Sequence, residues 1–217
     1  ITPPRQLETR VGEFWAHTWI PGTNVLVDVG WQIDQIDAAA ISTVPIDGSG
    51  EPEVLLRFPN TDTRSPRIRP DGNWIAYTSD ESGEYEIYIT QSDGRGETKK
   101  LTNRRGGFVE QLFWSPDSEK IAFFDNTGTL SILDVESKDV TKPYRRAQSG
   151  RGVNVSWSHD SHWLTFADNP SAIEAYTAIF LYNVDEDELT QVTSCMFNDT
   201  WPTFDRAGDF LYYASEK

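Results

Sequence analysis

Short apolar runs and tight polar turns alternate along the 217-residue chain, and the alternation recurs at a fixed period. The clearest unit is residues 113–124, FWSPDSEKIAFF, in which an aromatic residue, a polar turn and an apolar run follow one another. Trp114 is followed seven residues later by Ile121, and the same pairing returns as Ile68 with Ile75, Trp157 with Leu164, Phe204 with Leu211 and, more faintly, Trp19 with Leu26. The five anchors lie 49, 46, 43 and 47 residues apart. Within each period the pattern predicts four short strands, and four strands in about 45 residues is the signature of a β-propeller blade. The expected fold is therefore all-β, a propeller of four-stranded antiparallel blades. Its repeats fall at about 11–58, 59–103, 104–146, 147–194 and a partial 195–217, all within one propeller region spanning 1–217.

Local signals place most of the elements. Pro-Asp-Gly or Pro-Asp-Ser turns join the first and second strands, and Gly83 in the polar loop 79–85 is available for a positive φ angle. The stretch 31–40, WQIDQIDAAA, is the least repeat-like and reads as a long hairpin loop or a helical turn. Elsewhere no long window carries apolar residues at helical spacing. The motif RQLE within residues 1–10 resembles KKLT and TQVT, which close later repeats, so this segment reads as the outer strand of a preceding or closing blade. The last repeat shows two strands, which implies a larger ring or one shared with another subunit, since a closed ring leaves no exposed edge.

Composition narrows the partners. Thirty-four acidic against nineteen basic residues give a net charge of −15, which repels nucleic-acid phosphates and anionic membrane surfaces. No apolar window is long enough for a membrane-spanning helix, so no membrane insertion is expected. Cys195 is the single cysteine, which excludes an internal disulfide and leaves the compartment open.

Candidate chemistry is sparse. No G-x-S-x-G elbow is present to expose a nucleophilic serine, and His159 and His162 fall in a repeated turn where other copies carry Pro, Asp or Lys. His17 lies on a predicted inner strand. The i, i+3 spacing of His159 and His162 on a hairpin does not by itself converge two rings on one ion, and the acidic run 185–188 and the pair Asp80 and Glu81 lack the ligand spacing of a calcium loop. No catalytic residue, metal or cofactor is expected. Asn154 and Asn198 each begin a glycosylation sequon, the first inside a predicted inner strand, where chance matching is the stronger reading.

More informative are the residues that enter each inner strand, because the copies differ from one another there. These are Glu13, Trp15, Arg64, Arg67, Glu110, Arg151, Asn154, Asn198 and Asp199. Mixed charges and an aromatic residue on rigid strands could line the mouth of a propeller channel and hold a peptide by charge-assisted hydrogen bonds.

The segment 65–89, SPRIRPDGNWIAYTSDESGEYEIYI, resembles WD40-like propeller repeats of the TolB type. From residue 113 onward, FWSPDSEKIAFFDNTGTLSILDVESKDVT, then VSWSHDSHWLTFAD, then MFNDTWPTFDRAGDFLYYAS are similar to the propeller of tricorn-type serine proteases. His159 in place of Pro, and Arg206 and Ala207 in place of Pro-Asp, depart from the turn pattern and are expected to alter turn stability but not the fold. The resemblance implies a non-catalytic module that binds peptide or protein, as in the substrate-gating propeller of tricorn-like proteases, with a following protease domain or another subunit as neighbour. Two alternatives stand beside it: a TolB-like interaction scaffold of the cell envelope, and a propeller glycan lyase or hydrolase.

Overall fold

The computed structural model describes residues 11–32, 35–47, 50, 53–104, 107–146, 154–171 and 176–216, with side chains described outside 11–17, 28–39 and 110. All regular structure in them is β, and no helix among them is long and apolar enough to cross a membrane. The chain divides into two compact units, Ile1–Gly106 and Gly107–Lys217.

The first unit holds two sheets. One is built from β1 (Val11–Trp19), β2 (Val25–Gln32), β3 (Gln35–Pro45) and β4 (Glu53–Pro59); the other from β5 (Thr63–Ile68), β6 (Trp74–Ser79), β7 (Glu86–Gln91) and β8 (Lys99–Lys100). The second unit continues with β9 (Val109–Trp114), β10 (Lys120–Asp125), β11 (Thr129–Asp134) and β12 (Val140–Arg145). A further sheet is formed by β13 (Val155–Trp157), β14 (Trp163–Asp168), β15 (Ala178–Asn183) and β16 (Glu188–Gln191). The last contains β17 (Asp199–Phe204) and β18 (Leu211–Ser215). Every sheet is antiparallel with neighbours in chain order.

All five anchor pairs prove to be cross-strand partners of a first and second strand: Trp19 with Leu26, Ile68 with Ile75, Trp114 with Ile121, Trp157 with Leu164, and Phe204 with Leu211. A tight turn of constant length explains the constant spacing of seven. In the third copy the Ser115 N–H donates to the Lys120 carbonyl at 2.9 Å, and the Ser115 hydroxyl donates to Asp117 Oδ1 at 2.5 Å. The Asp117 carboxylate in turn accepts the Glu119 N–H at 2.9 Å. Ser158 and Asp160 repeat the hydroxyl–carboxylate contact at 2.5 Å, and in the last copy Asp205 Oδ1 takes over by accepting the Phe210 N–H. The turn therefore survives His159 and Arg206-Ala207, as expected. One position in it is left-handed in the four later copies, with φ of 79° at Gly72, 70° at Ser118, 66° at Ser161 and 80° at Gly208, whereas the first copy has its positive φ one residue earlier, 74° at Gly22. Only glycine adopts this freely, so the two serines are held there by the surrounding hydrogen bonds.

Packing joins the sheets face to face inside each unit. In the second unit Ala122, Phe124, Leu130 and Ile132 meet Val155, Leu164, Phe166, Ala178, Phe180 and Tyr182. Phe166 stacks on Phe180 at 5.3 Å between ring centroids, and Phe124 meets Phe166 edge-on at 5.8 Å. Two hydrogen bonds fix the register between these sheets: the Trp157 indole N–H donates to the Phe113 carbonyl at 3.0 Å, and the Asp117 N–H donates to Ser161 Oγ at 3.0 Å. In the first unit Val27, Ile41 and Phe58 pack with Ile68, Ile75, Tyr77 and Tyr88.

One expectation is corrected. Trp31–Gln32 and the residues from Gln35 onward are strand, with Gln32 opposite Gln35, so 31–40 is neither a long loop nor a helical turn. Ladders with β2 on one side and β4 on the other override the helix preference of the alanines. The anchor aromatics also carry less of the core than their aliphatic partners. Ile75, Ile121 and Leu164 are fully buried, whereas Trp114 is half-buried and Trp19, the last residue of β1, is 52% exposed.

Candidate functional site

Where β5, β9 and β17 begin, the chain is clamped to the residue that follows the second strand of the same sheet. Asp62 N–H donates to Asp80 Oδ1 at 2.8 Å, while Asp80 N–H donates back to the Asp62 carbonyl at 3.3 Å. Phe108 and Asn126 form the same reciprocal pair at 3.1 and 3.0 Å; in the last copy the Asn198 side-chain Nδ2 donates to Glu216 Oε2 at 2.9 Å while the Glu216 N–H donates to the Asn198 carbonyl at 3.1 Å. A polar residue just past the second strand in each of these copies is therefore a structural feature, and it anchors the variable residues beside it.

In the first unit this clamp supports a polar cluster around Arg64. Its Nε donates to both Asp62 oxygens at 2.8 and 2.9 Å, its Nη2 is also bonded to Asp62, and its guanidinium carbon lies 6.0 Å from the centre of the Tyr85 ring. Tyr85 OH donates to Asp62 Oδ2 at 2.6 Å. Burial would raise the Asp62 pKa, but the hydrogen bonds from Arg64 and Tyr85 outweigh it and hold the carboxyl below its ordinary value. The Tyr85 phenol is pushed up to about 12, first by burial and then by the Asp62 carboxylate. Arg64 remains 47% exposed at the start of a rigid strand. Three of its five N–H donors have no partner among the described residues.

Nearby on β5, Arg67 is half-buried and donates to the Pro66 carbonyl at 2.9 Å, and burial lowers its pKa. Glu86 is fully buried and accepts from Thr102 Oγ1 at 2.5 Å and Arg104 N–H at 2.8 Å, with Lys100 Nζ 3.3 Å away. It ties β7 to the segment leaving β8.

The second unit contains a buried ion pair. Arg146 Nε donates to both Asp168 oxygens at 3.0 Å, with the carboxylate 3% and the arginine side chain 16% exposed. Burial first, and the Asp168 charge second, raise the pKa of the adjacent Tyr144 phenol. Asn198 Oδ1 accepts the Thr177 N–H at 3.4 Å, and Asp199 accepts the Thr177 hydroxyl on its backbone carbonyl at 2.8 Å. Asp199 is 5% exposed, and its Oδ1 has no hydrogen-bond partner among the described residues. Asn154 is half-buried directly before β13. A shallow cavity of about 460 Å³ is lined by Pro170, Ser171, Gln191, Ser194, Cys195 and Met196.

Of the nine residues singled out by sequence, Arg64 and Arg67 share β5, Asn198 directly precedes β17, which Asp199 begins, and Asn154 precedes β13. Glu13, Trp15 and Glu110 lie on β1 and β9, but their side chains fall outside the described residues, as do Arg151 and the His17 side chain. Sequence reasoning missed Asp62, Asp80 and Tyr85, which orient Arg64, and the Arg146–Asp168 pair. Lining up the residue after each second strand would have found Asp80. His162 Nδ1 bonds to Asp185 in an exposed turn, and no group of three metal-ligating side chains occurs among the described residues.

Residues 56–217 match the family described as the tricorn protease second beta propeller domain. The chain is 29% identical over 151 residues to the uncharacterized peptidase YuxL of Bacillus subtilis, covering 69% of this chain and 21% of that protein. It is 26% identical over 174 residues to tricorn protease homolog 1 of Streptomyces coelicolor, covering 78% and 16% respectively. The chain thus spans about a fifth of the length of these curated relatives. Its fold matches that of a TolB from Agrobacterium tumefaciens with a TM-score of 0.65 at 20% identity, covering 94% of this chain and 70% of that one. The repeated four-stranded sheets are blades of a β-propeller.

Proposed function

The chain belongs to the tricorn protease second β-propeller domain family, and on that premise we propose that it is a non-catalytic module that binds a peptide or an extended protein segment. Arg64 is the observation that carries this reading. It is half-exposed, oriented by its Nε and Nη2 contacts to Asp62 and by the Tyr85 ring, and three of its N–H donors have no partner among the described residues. A cation fixed in this way loses little side-chain entropy on meeting a peptide carbonyl or terminal carboxylate, so more of the charge-assisted bond appears as affinity. Arg67, on the same strand, adds positive potential beside it. In a longer tricorn-like protein such a module would hold peptide beside a catalytic unit lying elsewhere. The likeness to TolB supports a second reading, a scaffold whose partner is a folded protein.

A panel of labelled peptides, free or amidated at the C terminus, titrated by fluorescence anisotropy and calorimetry tests the proposal. Removing one charge-assisted hydrogen bond costs about 1.5 kcal/mol, or about tenfold in affinity. Arg64→Ala is expected to weaken peptide binding by that factor or more; unchanged affinity sinks the reading. Binding of folded proteins with no peptide bound favours the scaffold.

A further inference from the structure

The backbone around Arg64 is fixed on both sides of the residue. Its carbonyl accepts the hydroxyl of the fully buried Thr78 at 3.1 Å, and the next residue, Ser65, has a φ of 52° within a β-bulge lying between Arg64 and Arg67. A bulge turns its strand and aims the side chains beside it. One edge of the planar guanidinium is already occupied, because Nε and one Nη2 hydrogen face Asp62. Both Nη1 hydrogens and the second Nη2 hydrogen lie on the other edges of the plane, without a partner among the described residues. By shape this fork fits a carboxylate or a carbonyl oxygen equally well, and charge separates the two.

The carboxylates that act on Arg64 are those of Asp62 and Asp80, and Asp80 is held in place by the Asp62 N–H, which it accepts at 2.8 Å. Glu84, exposed and adjacent to Tyr85, adds negative charge to the same loop. Arg67 offsets this only in part, since it is half-buried and bonded to the Pro66 carbonyl. Two carboxylates therefore already surround one guanidinium. A third, brought by a ligand, would gain the Arg64 donors but also meet Asp62 and Asp80. A neutral carbonyl gains the same donors without that repulsion. We propose that Arg64 holds a main-chain carbonyl inside an uncharged or basic peptide segment, and that the site selects against acidic residues and free C termini. This rests on the peptide-binding reading above and names the class of ligand that reading left open.

The test passes equimolar pools of acetylated random dodecapeptides, one ending in a free acid and one in an amide, over the immobilised chain. Retained peptides are sequenced by mass spectrometry. The two pools are expected to be retained within about twofold of each other, with Asp and Glu depleted about threefold or more. Arg64→Ala, its folding checked by circular dichroism, is expected to cut retention of both pools about tenfold. Asp80→Asn keeps an acceptor for the Asp62 N–H and removes one charge, so it is expected to raise the acid-to-amide ratio about threefold. Enrichment of the acid-ended pool beyond about twofold in the unaltered chain, or a ratio that Asp80→Asn leaves unchanged, overturns this inference and leaves the peptide-binding reading standing. Retention indifferent to Arg64→Ala, or no retention of either pool, removes that reading and this inference with it.

Discussion

Removing Arg146 or Asp168 probes how strongly the two four-stranded sheets of the second unit depend on one buried charge pair. Arg146→Ala strands a carboxylate that is 3% exposed and pushes it against the rings of the sheet core, a situation that costs about 3–5 kcal/mol. Asp168→Ala strands a guanidinium that is 16% exposed and can turn partly toward water, so its cost sits at the lower end of that range, about 3 kcal/mol. The double variant leaves no unpaired charge. Its loss is therefore expected to be smaller than the sum of the single losses by about 2–3 kcal/mol, the upper range of measured pair couplings. Urea unfolding followed by tryptophan fluorescence at pH 7 supplies the three values, with eight tryptophans as reporters. Asp168→Asn, which keeps the shape and removes the charge, is expected to behave like Asp168→Ala. Single losses below about 1 kcal/mol, or additivity within about 0.5 kcal/mol, would refute the assignment of the pair as a buried, coupled contact.

Two further outcomes follow from burial and titration. Leu164→Ala, at a fully buried site between sheets, is expected to cost about 3 kcal/mol by denaturant unfolding, whereas Phe210→Ala, at a position 64% exposed, stays within about 0.5 kcal/mol; comparable losses would contradict the packing described. Asp62 has a folded-state pKa below its ordinary 3.8, so its contribution is present above that value and is lost as pH falls through the folded pKa. The stability gap between wild type and Asp62→Asn should therefore be open at pH 7 and narrow as pH falls below 3.8, and a gap independent of pH refutes the Arg64–Asp62–Tyr85 contacts. The raised phenol works in the opposite direction. Tyr85 stabilises below pH 10 and loses that contribution as pH rises toward about 12, a loss that Tyr85→Phe removes.

The architecture was readable because a turn of fixed length places residues i and i+7 opposite each other, so the ladder writes itself into the spacing of Trp114 and Ile121 and its four copies. Where long-range pairing overruled local preference, the reading failed. The run 31–40 looks helical or irregular by itself, and only its neighbours on both sides make it strand. Trp19 shares the pattern of the other anchors, but a spacing does not say how much covers the ring at the end of a strand. Around the candidate site, Arg64 stood out as a charge entering an inner strand. Its partner Tyr85 was invisible because it lies in the next hairpin loop, 23 residues from Asp62. Arg146 and Asp168 escaped for the same reason, meeting only when two sheets pack.

The claim that this propeller module binds peptide without transforming it is tested most directly by one incubation. The chain is mixed with a peptide panel and a glycan panel, and binding and product formation are followed together by calorimetry and mass spectrometry. The account predicts peptides that bind, are recovered intact and bind less tightly to Arg64→Ala. Turnover of a glycan or peptide by the chain, lost when the acids near the inner strands are replaced, would contradict it.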